Sequence, residues 1–253
     1  MSTATNGTAR ERVLDSAIIA ACLLALWQAL YAYAGDTALS SPWQTVRYAS
    51  RLVATENFWL HTFESLKAFA YAVTISIVLG VLTGLVLGRR RFAGDVAEPI
   101  LVSLYTIPKV TLYPVMLLLF GLGISAKVAF GVIHGIVPVI LFTLNAVKNI
   151  NPTLLRTARA MRLTSAQTLL TVLVPAVLPE LITGARVGFS LTMLGVLIGE
   201  MFASQRGLGF LIVNGISLNN VELTMAVILI VVVGAITANG LLLALDRRAH
   251  HGG

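Results

Sequence analysis

The sequence predicts an all-α, polytopic membrane protein, a helical bundle, and three observations carry that prediction. Of its 253 residues, 57% are hydrophobic and only 11% charged, which with a mean hydropathy of +0.87 falls well outside the composition of soluble domains. The apolar residues gather in runs of about 20, the length a helix needs to cross the hydrocarbon core. The basic residues collect between those runs, singly or in short clusters. A net charge of +7 distributed in this way reports membrane orientation rather than a nucleic-acid surface. The lone cysteine, Cys22, lies inside an apolar run, which excludes an intrachain disulfide and a thiol-built metal site.

Laid along the chain, that length predicts six spans, at about 14–34, 69–88, 100–120, 126–147, 176–203 and 223–245. Residues 1–13 form an N-terminal tail, of which 1–9, MSTATNGTA, are small and polar and expected to be disordered. The first span is read as a retained helix rather than a signal peptide, because its apolar run is long and Glu11 and Asp15 dilute the positive flank. Residues 35–57 make the longest external connection, with Trp43, Tyr48 and Trp59 placed like interfacial aromatics. The stretch ENFWLHTFESLKAF is expected to lie along the outer surface and lead into the second span. Pro108, Pro114 and Pro138 interrupt the third and fourth spans, either bending them around a cavity or simply kinking them.

Orientation follows from Lys and Arg. Arg10, Arg12, Arg89, Arg90, Arg91, Lys148, Arg156, Arg159, Arg162, Arg247 and Arg248 fall on one side, against Arg47, Arg51, Lys67, Lys127 and Arg206 on the other. The richer side is the cytoplasmic one, so both termini are expected in the cytoplasm.

Between the fourth and fifth spans the chain reads NPTLLRTARAMRLTSAQTLLTVLVPAVLP, from Asn151 to Pro179. Asn151-Pro152 is a good N-cap and first-turn pair, so a helix should begin at Pro152. Thr164-Ser165-Ala166-Gln167 fits a capping box, so a second should begin near Ser165 and the first should end around 161–163. Pro175 and Pro179 mark re-entry into the membrane. Residues 151–174 are therefore expected to form two short helices joined at a bend on the cytoplasmic surface, serving either as an interfacial anchor or as a dock for a partner.

Gly80, Gly84 and Gly88 recur every four residues along the second span, as do Gly184 with Gly188 and Gly195 with Gly199 along the fifth. Such spacing brings helix backbones together, within one subunit or at a dimer or gating surface. Among polar residues in or near the spans, Lys109, His134 and Glu200 are candidates for the solute pathway. Lys109 either attracts an anionic solute or snorkels to the headgroups. Glu200 is assigned gating or packing before ligand binding. His134 has no second ligand at metal spacing, and no metal is expected. Glu180 and Arg186, near the inner end of the fifth span, read as headgroup contacts or a pair with a neighbouring helix. No G-x-x-x-x-G-K-[ST] phosphate loop is present, so this chain is not expected to be an enzyme.

From about His61 to Arg248 the sequence resembles the membrane permease subunits of bacterial ATP-binding-cassette importers, in particular the branch handling sulfonates, taurine, nitrate and pyrimidine-type vitamin precursors. IPKVTLYPVMLLLFGLG, ITGARVGFSLTMLGVLIGEMFAS and RGLGFLI look like that family's segments in the same order. The family's cytoplasmic signature is Glu-Ala-Ala, three residues, Gly, then a fixed interval to an apolar-Pro and a Leu-Pro. Arg156-Thr157-Ala158 stands at the first position here, Arg162 at the glycine, and Pro175 and Leu178-Pro179 at the prolines. The resemblance implies a permease domain over 56–248, with five of the six spans, in the bacterial inner membrane. It implies that Arg156, Thr157, Ala158, Arg159, Met161, Arg162, Thr164, Ser165 and Gln167 couple to a cytoplasmic ATPase, two copies of which bind ATP and Mg while this chain binds no cofactor. The other implied partners are a second permease, identical or not, an extracytoplasmic solute-binding protein and the lipid bilayer; no nucleic acid is implied. Arg156 and Arg162 depart from the signature, and the departure suggests a non-identical partner permease. The rivals are an ion-gradient-driven secondary transporter, which would carry intramembrane carboxylates, and an intramembrane enzyme, which would need His, Asp or Ser groups converging at one depth.

Overall fold

A computed structural model describes residues 9–251. In order, it contains α1 (Ala9–Ala34), α2 (Pro42–Val53), α3 (Glu56–Arg89), α4 (Arg91–Thr106), a 3₁₀ turn (Lys109–Leu112), α5 (Tyr113–Phe120), α6 (Ile124–Lys148), α7 (Pro152–Ala160), α8 (Ser165–Gln167), a π turn (Thr168–Leu173), α9 (Val174–Ala203), α10 (Leu208–Ser217) and α11 (Val221–His251). Ala9 already opens α1, and the remainder of the segment expected to be disordered lies outside the described residues.

Among the described residues, five helical runs are long and apolar enough to cross a membrane: Leu14–Ala34, Glu56–Arg89, Ile124–Lys148, Ser165–Phe202 and Val221–Leu243. The expected third span, 100–120, differs. It is two segments, Arg91–Thr106 and Lys109–Phe120, bent by 86°, and it makes a sixth crossing only if the pair is counted as one. Pro108 causes the break, since a residue before proline is pushed out of the helical region and Ile107 is extended at φ −61°, ψ 132°. Nearby groups cap the freed carbonyls: Lys109 Nζ donates to Tyr105 O at 3.1 Å and Thr111 Oγ1 to Pro108 O at 2.7 Å, as irregular backbone at membrane depth requires. Pro138, by contrast, lies within an unbroken α6.

Two further expectations are corrected. ENFWLHTFESLKAF does not lie separately along a surface, because α3 runs unbroken for 34 residues from Glu56. The helix beginning at Ser165 is not a short separate one either: it continues through the π turn into α9. No residue between Thr164 and Ala203 leaves the helical course, and Pro175, in the first turn of α9 where proline is tolerated, does not end it. Helix α10 stands where no helix was expected.

The chain divides into two compact units, residues 1–58 with 211–231 and residues 59–210 with 232–253. In the first, Trp27 Nε1 donates to Ser40 O at 3.0 Å, and a capping box between Ser41 and Gln44 starts α2. The apolar side chains of α1, Leu14, Ile18, Leu23 and Leu26 among them, are exposed, as a lipid-facing span requires.

The second unit is built around α6. Gly80, Gly84 and Gly88 of α3 lie against Val139, Thr143 and Val147 of α6, so two four-residue ladders run in register. Cβ atoms placed on those glycines would stand 3.3, 2.9 and 3.1 Å from the Ile136, Ile140 and Leu144 carbonyl oxygens, which shows how closely the two backbones approach. Against α9, Gly184 and Gly188 meet Phe142 and Val139, while Gly195 and Gly199 meet His134, Phe130 and Lys127. All seven glycines therefore take up packing within this chain. At the far end of α6, Lys148 Nζ holds Asp95 at 2.6 Å and Glu98 at 2.9 Å, tying α4 to α6.

Candidate functional site

The segment that follows α6 is ordered by its own capping chemistry. Asn151 Oδ1 accepts from Thr153 N at 2.9 Å and Pro152 occupies the first turn of α7. The helix stops at Ala160, where Leu163 N donates to Ala158 O at 3.1 Å and Arg162 N to Arg159 O at 3.0 Å. That bond pair is a Schellman closure, whose C′ residue is left-handed and usually glycine. Here it is Arg162, at φ +53°. Thr164 then opens the next helix, its Oγ1 accepting from Gln167 N at 3.3 Å while Gln167 Oε1 accepts from Thr164 N at 2.9 Å.

A left-handed conformation costs a non-glycine residue roughly 1–2 kcal/mol. Arg162→Gly is therefore expected to stabilise the chain by about 1 kcal/mol, less whatever glycine adds to unfolded-state entropy. Denaturant unfolding in mixed micelles measures it, and a destabilised variant would show that Arg162 makes compensating contacts.

Of the residues expected to couple, Arg156, Thr157, Arg159, Met161, Arg162, Thr164, Ser165 and Gln167 are exposed. Ala158 is not: at 2% exposure it faces the chain itself. A partner cannot reach its methyl group, and an acidic replacement there would disturb this chain's packing first. Beneath the segment, Ala146, Val147, Leu173 and Val177 form a buried cluster with Ile150 and Leu169 packed against it. Beside it lies a cleft of about 390 Å³ lined by Asn145, Asn149, Asn151, Leu154 and Glu180, among others.

The expected pathway residues separate in the structure. Glu200 is fully buried. Ser65 Oγ lies 2.8 and 2.7 Å from its two carboxylate oxygens, Gly209 N donates to it at 3.0 Å, and Lys127 Nζ stands 3.6 Å away. Lys127, 2% exposed, donates to Arg206 O at 2.6 Å. Leu208 N donates to Ser65 Oγ at 2.8 Å and Gly207 N to His61 Nδ1 at 3.0 Å. Gly207 is at φ +127°, directly against the Glu200 carboxylate, where a Cβ would collide. These bonds bolt the turn between α9 and α10 to α3, α6 and α9. His134 is buried too, donating from Nδ1 to Phe130 O at 2.8 Å with Gly195 against its ring. Lys109 differs from both: it is half-buried at the helix break, 4.8 Å from the Tyr105 ring.

One cleft, mostly apolar with a few polar groups, was missed. A cleft of about 650 Å³ is lined by Tyr105, Arg186, Ser190 and Asn239 together with apolar residues of α9 and α11. Tyr105 also carries the carbonyl that Lys109 contacts. The four-residue spacing of Arg186 and Ser190 on α9, and Asn239-Gly240 interrupting the apolar run of α11, were signals that pointed to it.

Comparison with known proteins adds to this geometry. Residues 76–251 match the family described as "Binding-protein-dependent transport system inner membrane component". The chain is 27% identical over 190 residues to the taurine transport system permease protein TauC of Escherichia coli, covering 75% of this chain and 69% of that one. It is 26% identical over 233 residues to the nitrate import permease protein NrtB of Synechocystis, covering 88% and 84%. Among solved structures, a chain of the MetNI methionine ABC transporter in an inward-facing conformation superposes with a TM-score of 0.53 at 18% identity, over 82% of this chain and 96% of that one. That likeness is one of fold.

Proposed function

The chain belongs to the family of inner membrane components of binding-protein-dependent transport systems, and from that premise we propose how it works within an importer. It is a multi-pass permease subunit of an ABC importer, not an enzyme. In the proposed assembly it pairs with a second, non-identical permease, and each permease engages one of two cytoplasmic ATPase subunits, which bind ATP and Mg. Both termini lie in the cytoplasm, and an extracytoplasmic binding protein delivers the solute.

The observation that carries this reading is the connection between α7 and the fifth span. Exposed α7 is joined by one tight bend to a helical run unbroken from Ser165 to Ala203. A push or pull on α7 by an ATPase is therefore transmitted to a membrane helix without an intervening hinge, which is what alternating access needs. Native mass spectrometry of the gently extracted assembly tests it: two ATPases with two different permeases are expected. Two copies of this chain with no other permease would refute the non-identical pairing. Recovery of this chain without any ATPase, under conditions that preserve known transporter complexes, would favour an ion-gradient mechanism instead.

The solute we propose is a small anion. Support comes from the taurine and nitrate relatives, whose named solutes carry a sulfonate and a nitrate group, and from Lys109, a half-buried cation at the break between two apolar helices. Lys109→Met is expected to weaken apparent affinity for an anionic solute about tenfold, the worth of one charge-assisted hydrogen bond. Uptake assays over a concentration series check this, and an unchanged affinity for a transported anion would remove Lys109 from the pathway.

A further inference from the structure

From Asn149 to Pro179 the sequence holds three arginines, Arg156, Arg159 and Arg162, and no aspartate or glutamate. All three are exposed, and among the described residues no carboxylate lies within ion-pair distance of any of them. Arg159 has a local reason to be there, because a cation in the last turn of a helix complements its negative end. That reason does not extend to Arg156, in the middle of α7, or to Arg162, beyond its end.

Arg162 is the informative one. It keeps a left-handed backbone that glycine would adopt freely, and the Schellman bonds that close the bend around it use only backbone atoms, so those bonds do not call for an arginine side chain. Strain held on an exposed residue with no ion pair among the described residues points to what its side chain meets outside the chain. Attraction to anionic lipid does not explain it, because that attraction counts charges near the surface and is indifferent to which helical position supplies them. Recognition of carboxylates by guanidinium forks is geometry-dependent and does require set positions.

We infer that Arg156, Arg159 and Arg162 form a cationic docking surface for an acidic recess, lined by Asp and Glu, on the cytoplasmic ATPase subunit. The inference rests on the ATPase partnership proposed above and adds the chemistry by which the partner is chosen. An ATPase whose recess is basic would be rejected by like charge, so these three positions also discriminate among the ATPases of one cell.

The test uses the full chain, co-expressed with its native partners and extracted as an assembly. Arg156→Glu with Arg162→Glu is expected to reduce retained ATPase at least tenfold while leaving the amount of chain in the membrane unchanged. Arg156→Lys with Arg162→Lys is expected to keep most of it at low salt and to lose it as salt rises. Arg162→Gly separates docking from folding: it eases the bend, so a purely structural role predicts unchanged retention, whereas docking predicts a severalfold loss. Unchanged ATPase retention in the charge-reversed and glycine variants would overturn the inference and leave the ATPase partnership intact. So would a loss seen only in binding to phosphatidylglycerol vesicles, which would assign the arginines to lipid. If the native chain retains no ATPase at all, the partnership itself fails and the inference with it.

Discussion

Replacing Glu200 with alanine is expected to destabilise the protein by about 3–5 kcal/mol, the typical consequence of leaving one member of a buried ion pair behind. Lys127 would remain 2% exposed with its anion gone and only the Arg206 carbonyl as a partner. The Gly209 N–H would lose its acceptor, and so would the Ser65 hydroxyl, each a further unsatisfied buried group. Glu200→Gln is expected to fall between alanine and the native chain, because an amide oxygen still accepts but carries no charge. Glu200→Leu combined with Lys127→Met should recover much of the loss, since removing both charges also removes their desolvation cost. Unfolding in mixed micelles reads all three. A loss below about 1 kcal/mol for Glu200→Ala, the range of solvated surface pairs, would mean that water reaches the carboxylate and the cluster is open.

The second large effect is expected at Gly84. A Cβ there would stand 2.5 Å from Thr143 Cβ and 2.9 Å from Ile140 O. One of those neighbours is backbone and cannot rotate away, so α3 must move off α6. Gly84→Leu is expected to cost at least the 1–3 kcal/mol typical of overpacking and to lower the yield of folded protein. Adding Thr143→Ala should rescue only part of it, because the carbonyl remains. Gly234→Ala on α11 serves as the comparison: nothing lies within 4 Å of a Cβ at that position, so it should be neutral or slightly stabilising. Equal effects at the two sites would show that helix propensity, not the close approach of backbones, sets the outcome.

Several elements were legible because their causes are local. The Asn151-Pro152 start and the Thr164–Gln167 box are each written in four residues or fewer, and the structure forms both with those partners. Arg162 stands at the glycine position of the resembled signature, and the sequence left open how the bend is built there; the structure gives it a left-handed backbone. The third span misled for the complementary reason. Pro108 and Pro138 look alike in the sequence, yet one breaks its span by 86° and the other sits inside a continuous helix. The difference lies in the surroundings: residues close to Pro108 cap the carbonyls of an open bend, whereas Pro138 is a buried residue of α6.

The sequence by itself determined that this is a helical membrane protein, where most of its spans run and how the segment after α6 is capped, because apolar length and capping bonds depend on residues adjacent in the chain. Only the tertiary structure decided which faces of those helices are used. It spent the glycine ladders on α6, turned Ala158 inward, placed Ser65 against a carboxylate 135 residues away and gathered Tyr105, Arg186, Ser190 and Asn239 around one cleft. Inside a membrane every helix is apolar on most sides, so hydrophobicity does not distinguish the face that meets a neighbour from the one that meets lipid. Close packing and polar satisfaction distinguish them, and both belong to pairs of residues far apart in the sequence.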